Sequence, residues 1–214
     1  MMIANIANIS FRRGEFPSIM KSGLVSPLLK KPGLDPSDFK NFRPIANLST
    51  ISKLLERLAL ARLKSRIISS PNYCNLQSAC RSEHSTETAL FKVMDDIYRA
   101  VDSGSAVALV GLDISAAFDA VNHRILLERL EVEFGISGPP IRWIASYLAN
   151  RTSAVKVGAS TFPAVLTNTG VPQGSVLGPI LFTSYVAPIG RLIDNFSVGY
   201  YKYADDTQLY IALK

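Results

Sequence analysis

Ala106-Val-Ala-Leu-Val-Gly-Leu-Asp113-Ile-Ser115 runs apolar residues into a carboxylate, and Ser197-Val-Gly-Tyr-Tyr-Lys-Tyr203-Ala-Asp205-Asp206-Thr-Gln-Leu-Tyr-Ile-Ala-Leu213 does the same a second time. The first stretch is short and almost continuously apolar, the pattern of a strand covered on both faces. The second reads as strand, acidic turn, strand, with Leu209, Ile211 and Leu213 alternating on its second arm. A carboxylate closing a buried strand is costly unless something offsets its charge. Both stretches are short of cationic neighbours. Two such sites therefore point to shared divalent metal ions, and so to metal-dependent phosphoryl or nucleotidyl transfer. Taken singly, each also fits a loop cap or an ordinary turn.

Working outward, 24–29 reads as a strand and Lys30-Lys31-Pro32-Gly33 as a turn, with the loop extended through Pro36-Ser37-Asp38. Phe42-Arg43-Pro44-Ile45 must be extended, because the residue before a proline avoids the helical region. Helical spacing predicts a helix over 49–65, with Ile51, Leu54, Leu55, Leu58 and Arg62 in register. A clearer one carries Leu90, Val93, Met94, Ile97, Tyr98 and Val101 and closes at Gly104. Further helices are expected over 122–134, from Pro140 through Leu148, and after Gly178 up to Pro188. A hairpin with arms Ala154–Val157 and Phe162–Leu166 is expected around Gly158-Ala-Ser160. Strands and helices mix without a βαβ rhythm, which favours α+β over a doubly wound fold.

The 214 residues are 48% hydrophobic, ordinary for a globular chain, and no apolar stretch approaches the roughly 18–20 residues that span a bilayer. The apolar N-terminus lacks the basic start and long apolar centre of a signal peptide. Two cysteines, Cys74 and Cys80, with only His84 and His123 beside them, suggest reduced thiols in an intracellular chain. Residues 1–66 hold 12 Lys and Arg against 4 Asp and Glu, a surplus of +8, whereas 67–214 hold 11 against 13. A basic first third beside a slightly acidic remainder suits a polyanionic partner, although a solvated basic face would look the same.

Gly170-Val-Pro-Gln-Gly174-Ser-Val-Leu-Gly178-Pro-Ile-Leu-Phe182 is the third candidate segment. Its glycines fit either close backbone approach or helix packing, and it lacks the Gly-Lys-Ser/Thr ending of a P-loop. In order, Leu112-Asp-Ile-Ser-Ala-Ala-Phe118-Asp119, this glycine segment and Tyr203-Ala-Asp-Asp206 resemble the three palm motifs of reverse transcriptases. Asn41-Phe-Arg-Pro-Ile45, followed by Lys53, resembles the fingers motif that precedes them. The wording of the glycine segment, and Ala117-Phe-Asp-Ala-Val-Asn-His123, is most similar to non-LTR, LINE-type retrotransposons. The resemblance covers about 24–214.

The resemblance implies a right-hand polymerase fold: an N-terminal extension over 1–23, fingers and fingers–palm helices over 24–105, and an antiparallel palm over 106–214. That palm is expected to be incomplete at its C-terminal end, with the thumb absent. It implies RNA-directed DNA synthesis with an RNA template, a DNA primer and dNTPs. Two Mg²⁺ ions, for which Mn²⁺ could substitute, would be held by Asp113 and Asp205, with the Ile114 carbonyl as a further ligand and Asp206 in support. Mg²⁺ is hard and takes oxygen ligands. Phe118 would lie under the incoming sugar and select deoxynucleotides, although it also reads as a core residue. Pro172, Gln173 and Gly174 would contact the nucleotide, and Ala204 would leave space at the primer end. Arg43, and more weakly Lys40 and Lys30, would grip the triphosphate. Lys53 would touch template phosphate or lie on a wet helix face. His123 is read as structural. The chain is expected in nucleus and cytoplasm when part of an active element, with no membrane partner and its oligomeric state left open. The alternative is an inactive nucleic-acid-binding remnant of such an element.

Overall fold

The computed structural model describes residues 2–213, a mixed α+β chain. In chain order its elements begin with α1 (Met2–Arg13), β1 (Ser22–Leu29), β2 (Phe42–Asn47), α2 (Thr50–Ile68), α3 (Thr86–Asp102) and β3 (Ala106–Leu112). They continue with α4 (His123–Val132), α5 (Pro139–Leu148), β4 (Arg151–Val157), β5 (Ser160–Thr161), β6 (Val165–Thr167), α6 (Gly178–Tyr185), α7 (Ala187–Ile193), β7 (Gly199–Tyr203) and β8 (Asp206–Leu213). Two compact units alternate along the chain: Met1–Leu63 with Phe118–Gly178, and Lys64–Ala117 with Pro179–Lys214. Packing defines these units. The expected fingers and palm are defined by role, and the two divisions need not share boundaries.

The first unit is built on a five-stranded sheet ordered β2-β1-β4-β5, with β6 also on β4. β1 and β2 are antiparallel with Pro27 opposite Pro44, and β1 runs parallel to β4, Ser22 facing Thr152. The expected strand at 24–29 and the extended Phe42–Ile45 are present. A hairpin does turn at Gly158, but its return arm is not the continuous 162–166 expected: it is split into β5 and β6, with 162–164, which contain Pro163, outside both strands. Asn122 caps α4 by accepting from the Ile125 N–H at 3.1 Å, and prolines open α5, where their missing N–H costs nothing. On α5, Trp143 and Tyr147 stack 5.9 Å apart and Phe16 meets both edge-on. The buried Trp143 indole N–H is satisfied by the Ser10 hydroxyl of α1 at 2.8 Å. No element was expected before residue 24, yet α1 packs on α5 through this bond.

On α2 the buried face differs from the one expected. Ser52, Leu55, Glu56, Ala59 and Leu63 face inward, while Ile51 and Leu58 are exposed. The true stripe is offset because two polar residues lie inside it.

The second unit holds the antiparallel sheet β3-β8-β7, with Leu112 opposite Thr207 and Tyr203 opposite Asp206. Ser85 and Thr88 form a capping box that starts α3, and Ala89 and Val93 pack on Tyr201 of β7. The expectation that β3 is covered on both faces is wrong: Leu109, Val110 and Leu112 are about half exposed. β3 is an edge strand, so apolar continuity here does not mean two-sided burial. The α3 stripe is likewise only partly buried, with Leu90, Tyr98 and Val101 exposed. The helix after Gly178 does stop before Pro188. That proline then sits in the first turn of α7, a helix the sequence reading did not separate.

Candidate active site

In the second unit, β3 ends at Leu112 and Asp113 follows at once, while Asp206 opens β8. Continuing the Leu112–Thr207 register by one step sets Asp113 opposite Asp206. Both line a cavity of about 500 Å³ together with Gly111, Thr86, Tyr203 and Gln208. A Cβ on Gly111 would meet nothing within 4 Å, so the approach beside Asp113 is open. The Asp206 carboxyl is pushed above its ordinary range, first by desolvation and then by the charges of Asp205 and Asp113. Asp205 and Asp113 thus both bear on Asp206, and among the described residues no ion pair relieves them. Lys202, only three residues before Asp205, points away: it is buried and donates to the Val186 carbonyl at 2.9 Å.

The donor chemistry fits a hard divalent cation, since every group is an anionic oxygen. The side chains as placed do not converge fully. Among the described residues, no three His, Cys, Asp or Glu are grouped closely enough to hold a metal.

The turn itself is two residues, Ala204 and Asp205, between β7 and β8. Ala204 has φ 55°, a left-handed conformation unusual for a residue with a side chain. Gln77 holds it. The Ala204 N–H donates to Gln77 Oε1 at 2.8 Å, and Gln77 Nε2 donates to the Ala204 carbonyl at 3.1 Å.

In the first unit, the glycine segment is tied down along its length. His123 Nε2 lies 2.7 Å from the Gly170 carbonyl, Val171 N–H donates to the Phe118 carbonyl at 2.8 Å, and Ala46 N–H donates to the Gln173 carbonyl at 2.7 Å. Close approach explains the glycines. At Gly174, φ is 101° and a Cβ would stand 2.8 Å from the Ala46 carbonyl oxygen. At Gly170, φ is 83° and a Cβ would stand 2.9 Å from Asp119 Cα. Phe118 belongs to this unit too, its ring within 3.3 Å of where a Gly178 Cβ would be.

Glu56 anchors the far end of the segment. Fully buried on α2, its Oε2 accepts from the Val176 and Leu177 N–H groups at 2.8 and 3.2 Å and from the Tyr147 hydroxyl at 3.3 Å, and its Oε1 accepts from Ser52 at 3.0 Å. The two N–H groups directly precede α6, where helical donors have no partner of their own.

Of the expected residues, Asp113, Ile114, Ala204, Asp205 and Asp206 lie in the second unit, and Lys40, Arg43, Phe118, Pro172, Gln173 and Gly174 in the first. Arg43 is exposed on β2 opposite Leu28, and Lys40 is exposed in the short turn before it. Glu56 and Gln77 were missed. Glu56 had a signal, a lone charge within the apolar face of a helix. Gln77 had none, because its surroundings read as plain loop.

Over residues 29–214 the chain matches a family model described as Reverse transcriptase (RNA-dependent DNA polymerase). It is 34% identical over 185 residues to a probable RNA-directed DNA polymerase from transposon X-element of Drosophila melanogaster, covering 86% of this chain and 20% of that protein. It is 32% identical over 213 residues to the RNA-directed DNA polymerase from mobile element jockey of Drosophila melanogaster, covering 96% and 23%. The chain therefore spans about a fifth of the length of these relatives. Among solved structures, apo telomerase from Candida Tropicalis gives a TM-score of 0.65 at 12% identity over 98% of this chain and 43% of that one. Telomerase from Candida albicans with a TWJ fragment of telomeric RNA gives 0.60 at 14% identity over 97% and 42%. At such identities the likeness is one of fold.

Proposed function

Because the chain belongs to the reverse transcriptase family, we propose that it is the part of a non-LTR retrotransposon polymerase that adds dNTPs to a DNA primer on an RNA template. The observation that carries this reading is the strand register, which sets Asp113 opposite Asp206 and next to the Ala204-Asp205 turn at the end of a β-sheet. Asp113 and Asp205 would hold Mg²⁺, or Mn²⁺ in its place, with the Ile114 carbonyl as a further ligand and Asp206 in support. Two such ions, when bound, supply Lewis-acid activation of the primer 3′-hydroxyl and neutralise charge on the departing pyrophosphate. The 3′-hydroxyl gives up its proton to solvent, and its oxygen bonds the α-phosphorus as the bond to pyrophosphate breaks. Phe118 excludes a 2′-hydroxyl. Pro172, Gln173 and Gly174 orient the nucleotide from a loop whose backbone is already fixed, and Ala204 leaves room for the primer end. Arg43, with Lys40, binds the triphosphate, a task suited to the planar guanidinium. Fingers over 24–105 and palm over 106–214 are the corresponding division by role. The element acts in nucleus and cytoplasm. Among the described residues no helix is long and apolar enough to cross a membrane.

Primer extension on an RNA template, with the chain and with the full-length polymerase it belongs to, tests this. Asp205→Ala and Asp113→Asn are expected to lower incorporation by about 10²–10³-fold, the scale of losing one electrostatic stabiliser. Undiminished extension by Asp205→Ala would remove the metal assignment. A second reading, nucleic-acid binding without synthesis, draws on the surplus of +8 in residues 1–66. It predicts strongly salt-dependent binding with no dNTP incorporated by the chain.

A further inference from the structure

We infer that Gln77 is a positioning residue for the acidic turn: its side-chain amide fixes the backbone of Ala204 and thereby where the Asp205 carboxylate stands. The inference rests on the reading of Asp113 and Asp205 as metal ligands. It starts from the turn. Tyr203 pairs with Asp206, so only Ala204 and Asp205 make the reversal. Two-residue reversals with positive φ ordinarily use Gly, Asn or Asp at the strained position. Here an alanine stands at φ 55°. Its conformation needs support from outside the hairpin, and Gln77 supplies it.

The amide meets both polar groups of the Ala204 backbone, accepting from its N–H at 2.8 Å and donating to its carbonyl at 3.1 Å. Gln77 Oε1 also accepts from the Ala79 N–H at 3.0 Å. Two N–H groups face one end of the amide and a carbonyl faces the other, so a single orientation satisfies all three. Gln77 is itself immobilised. It is 1% exposed, its N–H donates to the Cys74 carbonyl at 3.1 Å, and it bridges to Lys202 in parallel fashion. On either side of it, Ser78 N–H donates to the Lys202 carbonyl at 3.0 Å and Lys202 N–H to the Leu76 carbonyl at 2.9 Å. The segment 76–78 is therefore laid along β7 as a short extra edge, with the Gln77 side chain reaching past the strand end to the turn. Groups that orient ligands without touching the metal commonly set its affinity.

The test uses Tb³⁺ as a probe, titrated into the whole chain and followed by tyrosine-sensitised luminescence, since Tyr201 and Tyr203 line the same cavity as Asp113 and Asp206. Gln77→Met keeps the length and removes the amide. It is expected to weaken Tb³⁺ binding about tenfold, and to raise the Mg²⁺ requirement for extension more than the dNTP KM, while circular dichroism stays native. Amide exchange at Ala204 and Asp205 should quicken. A folded Gln77→Met chain with wild-type Tb³⁺ affinity and wild-type exchange would overturn the inference. Should Gln77→Met not fold, Gln77→Asn decides, since it keeps a neutral amide but shortens its reach by one methylene. The same weakening is expected, and unchanged affinity and exchange would overturn the inference. Asp205→Ala is the control for the metal reading. If it binds Tb³⁺ as tightly as wild type, that reading fails, and exchange at the turn alone decides the role of Gln77.

Discussion

The glycine segment of the first unit and the acidic turn of the second pose one problem, irregular backbone with unpaired polar groups, and receive opposite solutions. Before α6 the orphans are all donors, the Val176 and Leu177 N–H groups, and a carboxylate, which only accepts, serves them both. At Ala204 an N–H and a carbonyl are orphaned together, and an amide, which donates and accepts, serves both. Charge follows the same logic. A buried anion is tolerable at a helix start, where the backbone dipoles present positive ends. Beside Asp205 and Asp206 another anion would add to repulsion that already raises the Asp206 carboxyl. The difference teaches that the identity of a buried clamp is dictated by the donor–acceptor balance of what it holds.

The strongest way to break this comparison is Glu56→Ala. It strips the acceptor from two N–H groups and should cost about 3 kcal/mol or more by urea denaturation, whereas Glu56→Gln, which keeps one neutral acceptor, should cost about half as much. Equal losses from the two would mean that charge plays no part at α6. Next, Gln77→Glu exchanges one clamp type for the other. The introduced carboxylate has no proton for the Ala204 carbonyl, so a penalty of about 2 kcal/mol is expected at neutral pH. Burial, which leaves Gln77 only 1% exposed, should raise the folded pKa of that carboxyl. The penalty should therefore shrink as pH falls through that raised value and the acid form becomes a donor again. A penalty constant from pH 7 to 4 would count against the donor argument. The smallest effect comes from a solvent-facing cluster of the second unit. Desolvation pushes the Asp96 carboxyl up, but hydrogen bonds from Lys92 and from the Tyr210 hydroxyl outweigh it and hold the carboxyl below its ordinary 3.8. Asp96→Asn should lower stability by less than about 1 kcal/mol near neutrality. That loss should fade as pH drops below 3.8, because the stabilisation exists only while the carboxylate is ionised. A larger loss, persisting in acid, would show the cluster to be more than a screened surface pair.

Much of the fold was legible because it was written in local terms. Pro44 forced Arg43 into β2, Asn122 announced α4, and the alternation from Leu209 to Leu213 marked β8. The acidic residues stood out only together, since each alone reads equally as a loop cap or a turn, and it was their order along the chain with the glycine segment that set them apart. Packing was less legible. The apolar run of β3 predicted cover on both faces, yet Leu109, Val110 and Leu112 are about half exposed, since periodicity reports composition and not what lies opposite. Glu56 interrupts its helix stripe and could have been flagged. Gln77 could not, because its role depends on a backbone 127 residues further along the chain.

The alternation of the two units along the chain has a kinetic consequence. β1 must wait for β4, and the Ser22 hydroxyl meets its Thr152 partner across a sequence separation of 130. On a ribosome residues 1–63 would emerge long before the segment 118–178 that completes their unit. The β1 edge meant for β4 would stay unpaired throughout, a template for wrong pairing. Distant pairings of this kind slow folding, because loop closure must precede any reward. Cutting the chain between 63 and 118 would therefore yield two incomplete pieces rather than two domains.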